Sequence, residues 1–186
     1  MDAPISQIRP LRAADADAWR ALRLQALKEE PASFAFSYED AVVIDPDEFA
    51  RIIPAEGAAD ALFGLFINDM LEGAAGFMVQ GGLKRRHKGL LWGVYVRPPW
   101  RGRGFARALV RRVIEHARDH VVLLEASVTV GNDGARRIYL ELGFRPYGLE
   151  LAALRVGDVD FDEELLSLDF RAAALPAPGL SDRRAP

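Results

Sequence analysis

A mixed α/β architecture, one sheet covered by helices on both faces, is what this sequence encodes, and three observations lead there. Helix and strand periods alternate in the order βααβββαβαββ, which fits a single sheet with helices on either side. An apolar run, Leu90–Val96, ends in prolines and a basic turn, and the strongest amphipathic helix of the chain follows at once. The chain has 186 residues, 50% of them apolar and 27% charged, the profile of a folded domain. A chain of this size buries about 70% of its unfolded surface without disulfides or metals.

Ile5–Leu11 reads as a short strand. Asp15 caps a helix running to about Glu29, with Ala18, Trp19, Leu22 and Ala26 on one face, and Pro31 stops it. Pro31–Ala41 is aromatic and acidic without a clean period and is expected as a loop. Asp45-Pro46-Asp47 opens a short helix to about Ile53, with proline where its missing N–H costs least. Ala61–Ile67 and Gly73–Gln80 read as two strands of a hairpin whose connection is flanked by Asn68-Asp69 and Gly73. Gly81–Lys88 is a basic loop, Leu90–Val96 a buried strand ended by Pro98 and Pro99, and Gly104 to about Arg118 a helix. In that helix Ala106, Leu109, Val110, Val113, Ile114 and Ala117 recur at steps of three and four. Val121–Val130 is a strand. Asn132 to about Leu142 is a helix ended by Gly143. Phe144–Val156 and Phe161–Leu168 form a last strand pair around Gly157-Asp158. One domain over residues 1–170 is expected, followed by a disordered tail, 171–186, rich in Ala, Pro and Arg.

Composition removes several chemistries. The net charge is −3, from 24 basic and 27 acidic residues, which gives no electrostatic reason to expect a nucleic-acid partner. There are no cysteines, so disulfides, cysteine-ligated zinc, iron–sulfur clusters and a cysteine nucleophile are all excluded. Three histidines, His87, His116 and His120, leave little for a metal site, and none is expected. His116 and His120 are read as structural and His87 as a surface residue. The N-terminus has no basic n-region followed by an apolar stretch, and no run approaches the roughly 18 apolar residues that cross a bilayer. A soluble cytoplasmic protein without a membrane partner is therefore expected.

The stretch from Val94 to Arg107, Val-Tyr-Val-Arg-Pro-Pro-Trp-Arg-Gly-Arg-Gly-Phe-Ala-Arg, carries the chemistry. A strand ends, a basic glycine-containing turn follows, and a helix begins. The first N–H groups of a helix lack intrahelical partners and lie at the positive end of its dipole, so this is an anion site. Gly102 and Gly104 allow close approach to the backbone, and Arg101, Arg103 and Arg107 add charge. No Gly-Lys-Ser/Thr follows, so this is not a P-loop, and Arg107 falls where a dinucleotide fingerprint needs a small residue. A solvated basic helix start with glycines for a tight turn is the plainer alternative.

Arg101-x-x-Gly104-x-Ala106, preceded by the Val-x-Val-x-Pro strand end, resembles the acetyl-CoA motif of the GNAT N-acetyltransferase superfamily. A second block resembles the same family: Leu124, Ala126, Val128, Asn132, Ala135, Ile138, Tyr139, Leu142, Gly143 and Phe144, with alanine at 126 and isoleucine at 138 as the departures. The order of elements agrees from Ile5 to Leu168. The resemblance implies the family's fold, a mostly antiparallel mixed sheet whose fourth and fifth strands splay apart, and acetyl-CoA as cosubstrate. It places the pyrophosphate on the amides of Gly102, Arg103, Gly104, Phe105, Ala106 and Arg107, beside Arg101, and pairs the pantetheine arm with the main chain of Val94, Tyr95 and Val96. An N–H there also polarises the thioester carbonyl. Asn132 is implied as a cofactor contact, with an N-cap as the alternative. Tyr139 is implied as the general acid for the leaving thiolate, with a packing tyrosine as the alternative.

The base is less defined. Some ribosomal-protein acetyltransferases of the family carry a glutamate five residues before the asparagine; here that position is Ser127. Glu125, two residues earlier on the same face by strand alternation, is the candidate, acting through a water, unless it is a polar residue at the rim. Tyr38, Glu39 and Asp40 lie where the family builds its acceptor pocket. The implied activity is acetyl transfer to a primary amine, of a small molecule or a protein N-terminus, by direct attack within a ternary complex, in a monomer or homodimer. The missing cysteine fits, since no acyl-enzyme is needed. A non-catalytic domain that senses acyl-CoA is the alternative.

Overall fold

The computed structural model describes residues 5–171. The expected tail, 171–186, lies outside the described residues except for Arg171. The elements are β1 (Ser6–Pro10), α1 (Ala16–Glu29), α2 (Tyr38–Val42), α3 (Pro46–Ala50), β2 (Ala61–Ile67), β3 (Met70–Val79), β4 (Lys88–Val96), α4 (Phe105–Ala117), β5 (Leu123–Thr129), α5 (Asp133–Glu141), β6 (Arg145–Val156) and β7 (Val159–Asp169). The seven strands form one sheet in the order β1-β2-β3-β4-β5-β7-β6. Neighbours run antiparallel except β4 and β5, which are parallel.

Two cores sandwich the sheet. On one face Phe63, Leu65 and Phe77 pack with Leu109, Val110 and Val113 of α4 and with Tyr139 and Phe144. On the other, Leu62, Phe66 and Tyr95 pack with Trp19, Leu22 and Ala26 of α1 and Phe49 of α3. All seven residues of β2 are buried, as expected of a strand covered on both faces.

Two local expectations are corrected. Part of the 31–41 loop is helical: α2 begins after Ser37, whose hydroxyl accepts from the Asp40 amide at 3.0 Å, and Ala41 buries completely. The hairpin turn is shorter than Gly73 implied. Asn68 and Asp69 alone make it, with φ of 48° and 65°, the two-residue turn that matches the twist of its strands, and Gly73 lies inside β3.

The feature that positions the site is a split in the sheet. β4 and β5 pair at Lys88↔Leu123, Gly89↔Leu124 and Leu90↔Glu125, and the ladder then stops. β5 continues in register with β7 along its whole length, from Leu123↔Asp169 to Thr129↔Glu163, so it follows β7. β4 stays with β3 but bulges: Ala74 pairs with Tyr95 and Gly76 with Trp92. Gly93 takes up the extra residue with φ of +65°, which side chains rarely adopt.

Candidate active site

Three hollows adjoin the gap between the diverging halves of β4 and β5, and Val94 lines all of them. The first, about 460 Å3, lies toward α4 and α5 and is lined by Val94–Val96, Trp100, Gly102, Gly104–Arg107, Arg137 and Tyr139, among others. The second, about 630 Å3, faces α1 and includes Glu30, Phe34, Arg101, Thr129 and Asn132. The third, about 260 Å3, lies deeper on the α1 side and includes Arg23, Phe34, Trp92, Ser127, Tyr139 and Glu163.

The candidate anion site lies at the start of α4. Gly104 caps α4 with φ of +82°, a left-handed conformation that glycine alone adopts without strain. The first i→i−4 bond of the helix runs from Ala108 N–H to Gly104 carbonyl at 3.0 Å, so the preceding amides have no intrahelical acceptor. A Cβ at Gly102 or Gly104 meets nothing within 4 Å, which leaves open space over those amides. The arginines are partly committed elsewhere. Arg101 Nε donates to Val96 carbonyl at 2.9 Å and its Nη1 pairs with Glu30 at 2.8 Å. Arg103 lies over the Trp100 ring, and Arg107 pairs with Glu141 at 3.2 Å. Sequence reasoning missed Arg137 as a cationic wall of this hollow; its signal was its place on the exposed side of the helix that carries Tyr139.

Asn132 caps α5: its side-chain oxygen accepts from the Ala135 amide at 3.2 Å. It also lines two of the hollows, so cap and contact are compatible. Tyr139 is 6% exposed and lines the hollows on both sides of the split. Burial, with a smaller push from Glu163, raises its phenol above the ordinary value, so it stays protonated.

The two base candidates separate. Glu125 sits opposite Leu90, at the last rung before the strands diverge, and is not among the residues lining the three hollows. Lys88 Nζ and Gln80 Nε2 each donate to it at 2.5 Å. Burial pushes its carboxyl up, but those donors outweigh burial and hold it below the ordinary glutamate value. Ser127 does line the deep hollow but offers only a hydroxyl.

The acceptor-side residues also divide. Tyr38 and Glu39 line a separate groove of about 700 Å3 between α2 and the β6–β7 tip, whereas Asp40 accepts from the Ser37 hydroxyl. The His116 and His120 rings meet at a tilt, with centroids 4.5 Å apart, and a His116 ring nitrogen hydrogen-bonds Ala59 carbonyl at 2.8 Å. Besides Arg137, the side chains missed by sequence reasoning are Arg23 and Glu163. Arg23 was signalled by its place in the α1 stripe, beside Leu22 and four residues after Trp19, where a cation has no ordinary packing role. Glu163 had no signal without knowing that β7 pairs with β5.

A mixed sheet split at one parallel pair, with a helix start whose first amides lack an intrahelical acceptor at the mouth, defines the class of α/β protein to which this chain belongs. The chain belongs to the Acetyltransferase (GNAT) family, whose sequence model matches residues 17–144. N-alpha-acetyltransferase RimI of Mycobacterium tuberculosis is 40% identical over 65 residues, 35% of this chain and 40% of that protein, so the match spans less than half of the relative. Among solved structures, a GNAT-family acetyltransferase from Streptococcus pneumoniae superposes with a TM-score of 0.79 at 19% identity, covering 89% of this chain and 99% of that one. The Salmonella typhimurium yncA structure, with its cofactor acetyl-CoA, gives 0.79 at 21% identity over 92% and 98%. The ribosomal-protein-alanine N-acetyltransferase of Brucella melitensis gives 0.76 at 22% over 88% and 99%. The fold is therefore the GNAT fold. No helix among the described residues is long and apolar enough to cross a membrane.

Proposed function

We propose that this chain is an N-acetyltransferase that binds acetyl-CoA in the split between β4 and β5 and passes the acetyl group directly to a primary amine. The observation that carries this reading is the end of the β4–β5 ladder at Leu90↔Glu125, which leaves the main chain of Val94–Val96 without a β5 partner beside the bare amides of the α4 start. These parts fit the cosubstrate: amides and open space over Gly102 and Gly104 for the pyrophosphate, and an unpaired strand edge for the amide-bearing arm. Bound acetyl-CoA supplies an activated acyl carbon: the acceptor nitrogen bonds to it as the C–S bond breaks, the sulfur leaving as thiolate and the nitrogen losing a proton.

The chain's own groups lower the barrier in three ways. The fixed N–H dipoles near Val94 stabilise charge on the carbonyl oxygen. The split holds the two reactants together, which is worth several kcal/mol, up to about 7–11 at best. Tyr139, which lines the hollows on both sides of the split, would donate its hydroxyl to the leaving sulfur. A phenol raised above about 10 is a weaker acid than a thiol near about 8.5, so Tyr139 stabilises the thiolate as a hydrogen-bond donor rather than by complete proton transfer. Glu125, held in its pair with Lys88, is a structural residue, and Ser127 is the polar side chain that β5 offers to the 260 Å3 hollow.

Acetyl-CoA-dependent thiol release across a panel of amines and peptides tests the reading. The withdrawal of Glu125 favours one competitor, an acyl-CoA sensor without turnover. Tight CoA binding with no thiol release from any amine would establish that sensor instead.

A further inference from the structure

We propose that the 260 Å3 hollow on the α1 face is the acceptor site and that it takes a zwitterionic amine, a free α-amino acid or close analogue, with its carboxylate on Arg23 and its ammonium on Glu163. This deepens the acetyltransferase reading and rests on it for the fate of the amine.

Arg23 is the anomaly that points there. Its Nη1 is buried without a hydrogen-bond partner, and Arg23 joins no ion pair among the described residues. The guanidinium rests on the Phe34 ring at 4.6 Å, and Nη1 lies 3.7 Å from where a Cβ on Gly93 would stand. Burial with nothing to compensate lowers its pKa to about 10. A buried cation kept without a partner is costly, and a ligand anion supplies the missing partner. Trp92 Nε1, on another lining residue, is likewise buried without a partner.

A side chain of the opposite charge, Glu163, lines the same hollow and pairs neither with Arg23 nor with any other cation among the described residues. Its strand neighbour on β6 is Glu150, so no cation stands opposite it in the ladder to neutralise it. Two charges of opposite sign, neither in an ion pair among the described residues, lining one small hollow complement a molecule that carries both. The volume, about 260 Å3, falls just below the usual range of drug-sized sites, about 300–1,000 Å3, which suits one amino acid and not a peptide strand. Gly93 precedes Val94, which lines all three hollows, so an anion on Arg23 holds its neighbouring amine beside the split. Phe34, Phe36 and Trp92 favour an apolar side chain. A protein N-terminus presents a neutral amide where a free amino acid has its carboxylate, and would leave Arg23 unpaired.

The test is calorimetric titration of the full chain, without acetyl-CoA, with the twenty standard amino acids, then with the amides and dipeptides of those that bind. The expected result is an acid at least tenfold tighter than its amide and dipeptide. Arg23→Gln erases that preference. Arg23→Met erases it while raising Tm, because an unpaired buried charge is gone. Glu163→Gln weakens binding of acid and amide alike. Equal binding of acid and amide, no binding of any amino acid, or a preference that survives both Arg23 variants overturns the proposal. Thiol release with dipeptides but not amino acids overturns this substrate class and leaves acetyl transfer standing. Amino-acid binding with no thiol release from any amine does the reverse.

Discussion

Tyr139→Phe isolates one hydroxyl from everything else the tyrosine does. The ring is 6% exposed and packs against Phe144 with centroids 5.6 Å apart, and phenylalanine keeps all of that contact. Among the described residues no side-chain hydrogen bond holds the hydroxyl, so its removal strands no partner and should leave Tm unchanged or slightly higher. Turnover should respond differently. Losing one donor aimed at developing charge costs about 10²–10³-fold in turnover. The raised phenol pKa makes proton transfer uphill, which favours the lower end, about 10²-fold or about 2.7 kcal/mol at 25 °C. CoA affinity, set by amides and the β4 edge, should stay within about threefold, less than 1 kcal/mol. The assay is single-turnover acetyl transfer with saturating cosubstrate, beside CoA titration and a melt of each variant. The pH dependence adds a control with a definite sign. Because the folded pKa lies above the unfolded value of about 10, the stability tied to this proton is intact below pH 10 and lost as pH rises beyond it. The variant should therefore lose less Tm between pH 9.5 and 11 than the parent, roughly the window above the free phenol value. Turnover within threefold of the parent would remove the hydroxyl from the mechanism, since that is under about 1 kcal/mol.

Gly104→Val should weaken CoA binding more than tenfold, more than about 1.4 kcal/mol. It forces a β-branched residue to φ of +82° and fills the open space above the amides. Arg103→Ala, whose guanidinium rests on Trp100, should cost under threefold, less than about 1 kcal/mol, by the same titration. Equal losses would shift the anion site from backbone to side chains. Glu125→Gln should leave turnover nearly intact but lower stability by about 1–2 kcal/mol, or about 3–6 °C, by leaving the Lys88 ammonium unpaired. Its carboxyl is held below the free value, so its contribution is present above about pH 4.3 and lost as pH falls below that, and the variant should show a flatter acid limb in melts from pH 3 to 7. A large loss of turnover with unchanged stability would restore Glu125 as a base.

Elements with a long enough period were legible in the sequence. β2 spans Ala61–Ile67 as its apolar run implied, and the short α3 was legible from its cap instead, Asp45, whose side chain accepts from the Asp47 amide at 2.8 Å, followed by a proline at the first helical position. α2 was not legible because five residues make little more than one turn, too few to show a stripe. Its signal was the cap, Ser37 three residues before Asp40, lost among aromatic neighbours. The start of β3 was misplaced for a different reason. Gly73 looked like turn material, but Asn68 and Asp69 both tolerate positive φ and closed the hairpin first. A glycine inside a strand can instead mark a close approach: a Cβ at Gly73 would lie 2.8 Å from the Tyr95 carbonyl.

The candidate site divides along the same line, between what is local in sequence and what only the sheet assembles. The anion half is local: strand end, glycines, arginines and helix start follow one another, so spacing alone locates it. The acceptor half is assembled from α1 and β7, which lie near opposite ends of the chain. Glu125 stood at a suitable distance from Asn132 by strand alternation, yet the β4–β5 ladder persists up to Leu90↔Glu125 and leaves that carboxylate below the point of divergence. Glu163 enters the hollow only because β7, not β6, is the neighbour of β5, which sets it opposite Thr129 above that point. A residue's role here depends on which side of the last shared rung it falls, and that rung is fixed by the Gly93 bulge and by the longer β5–β7 register acting together. Arg23 was the one distant residue that the chain did betray, since a cation within an apolar helical stripe is tolerated only where something outside the stripe has a use for it.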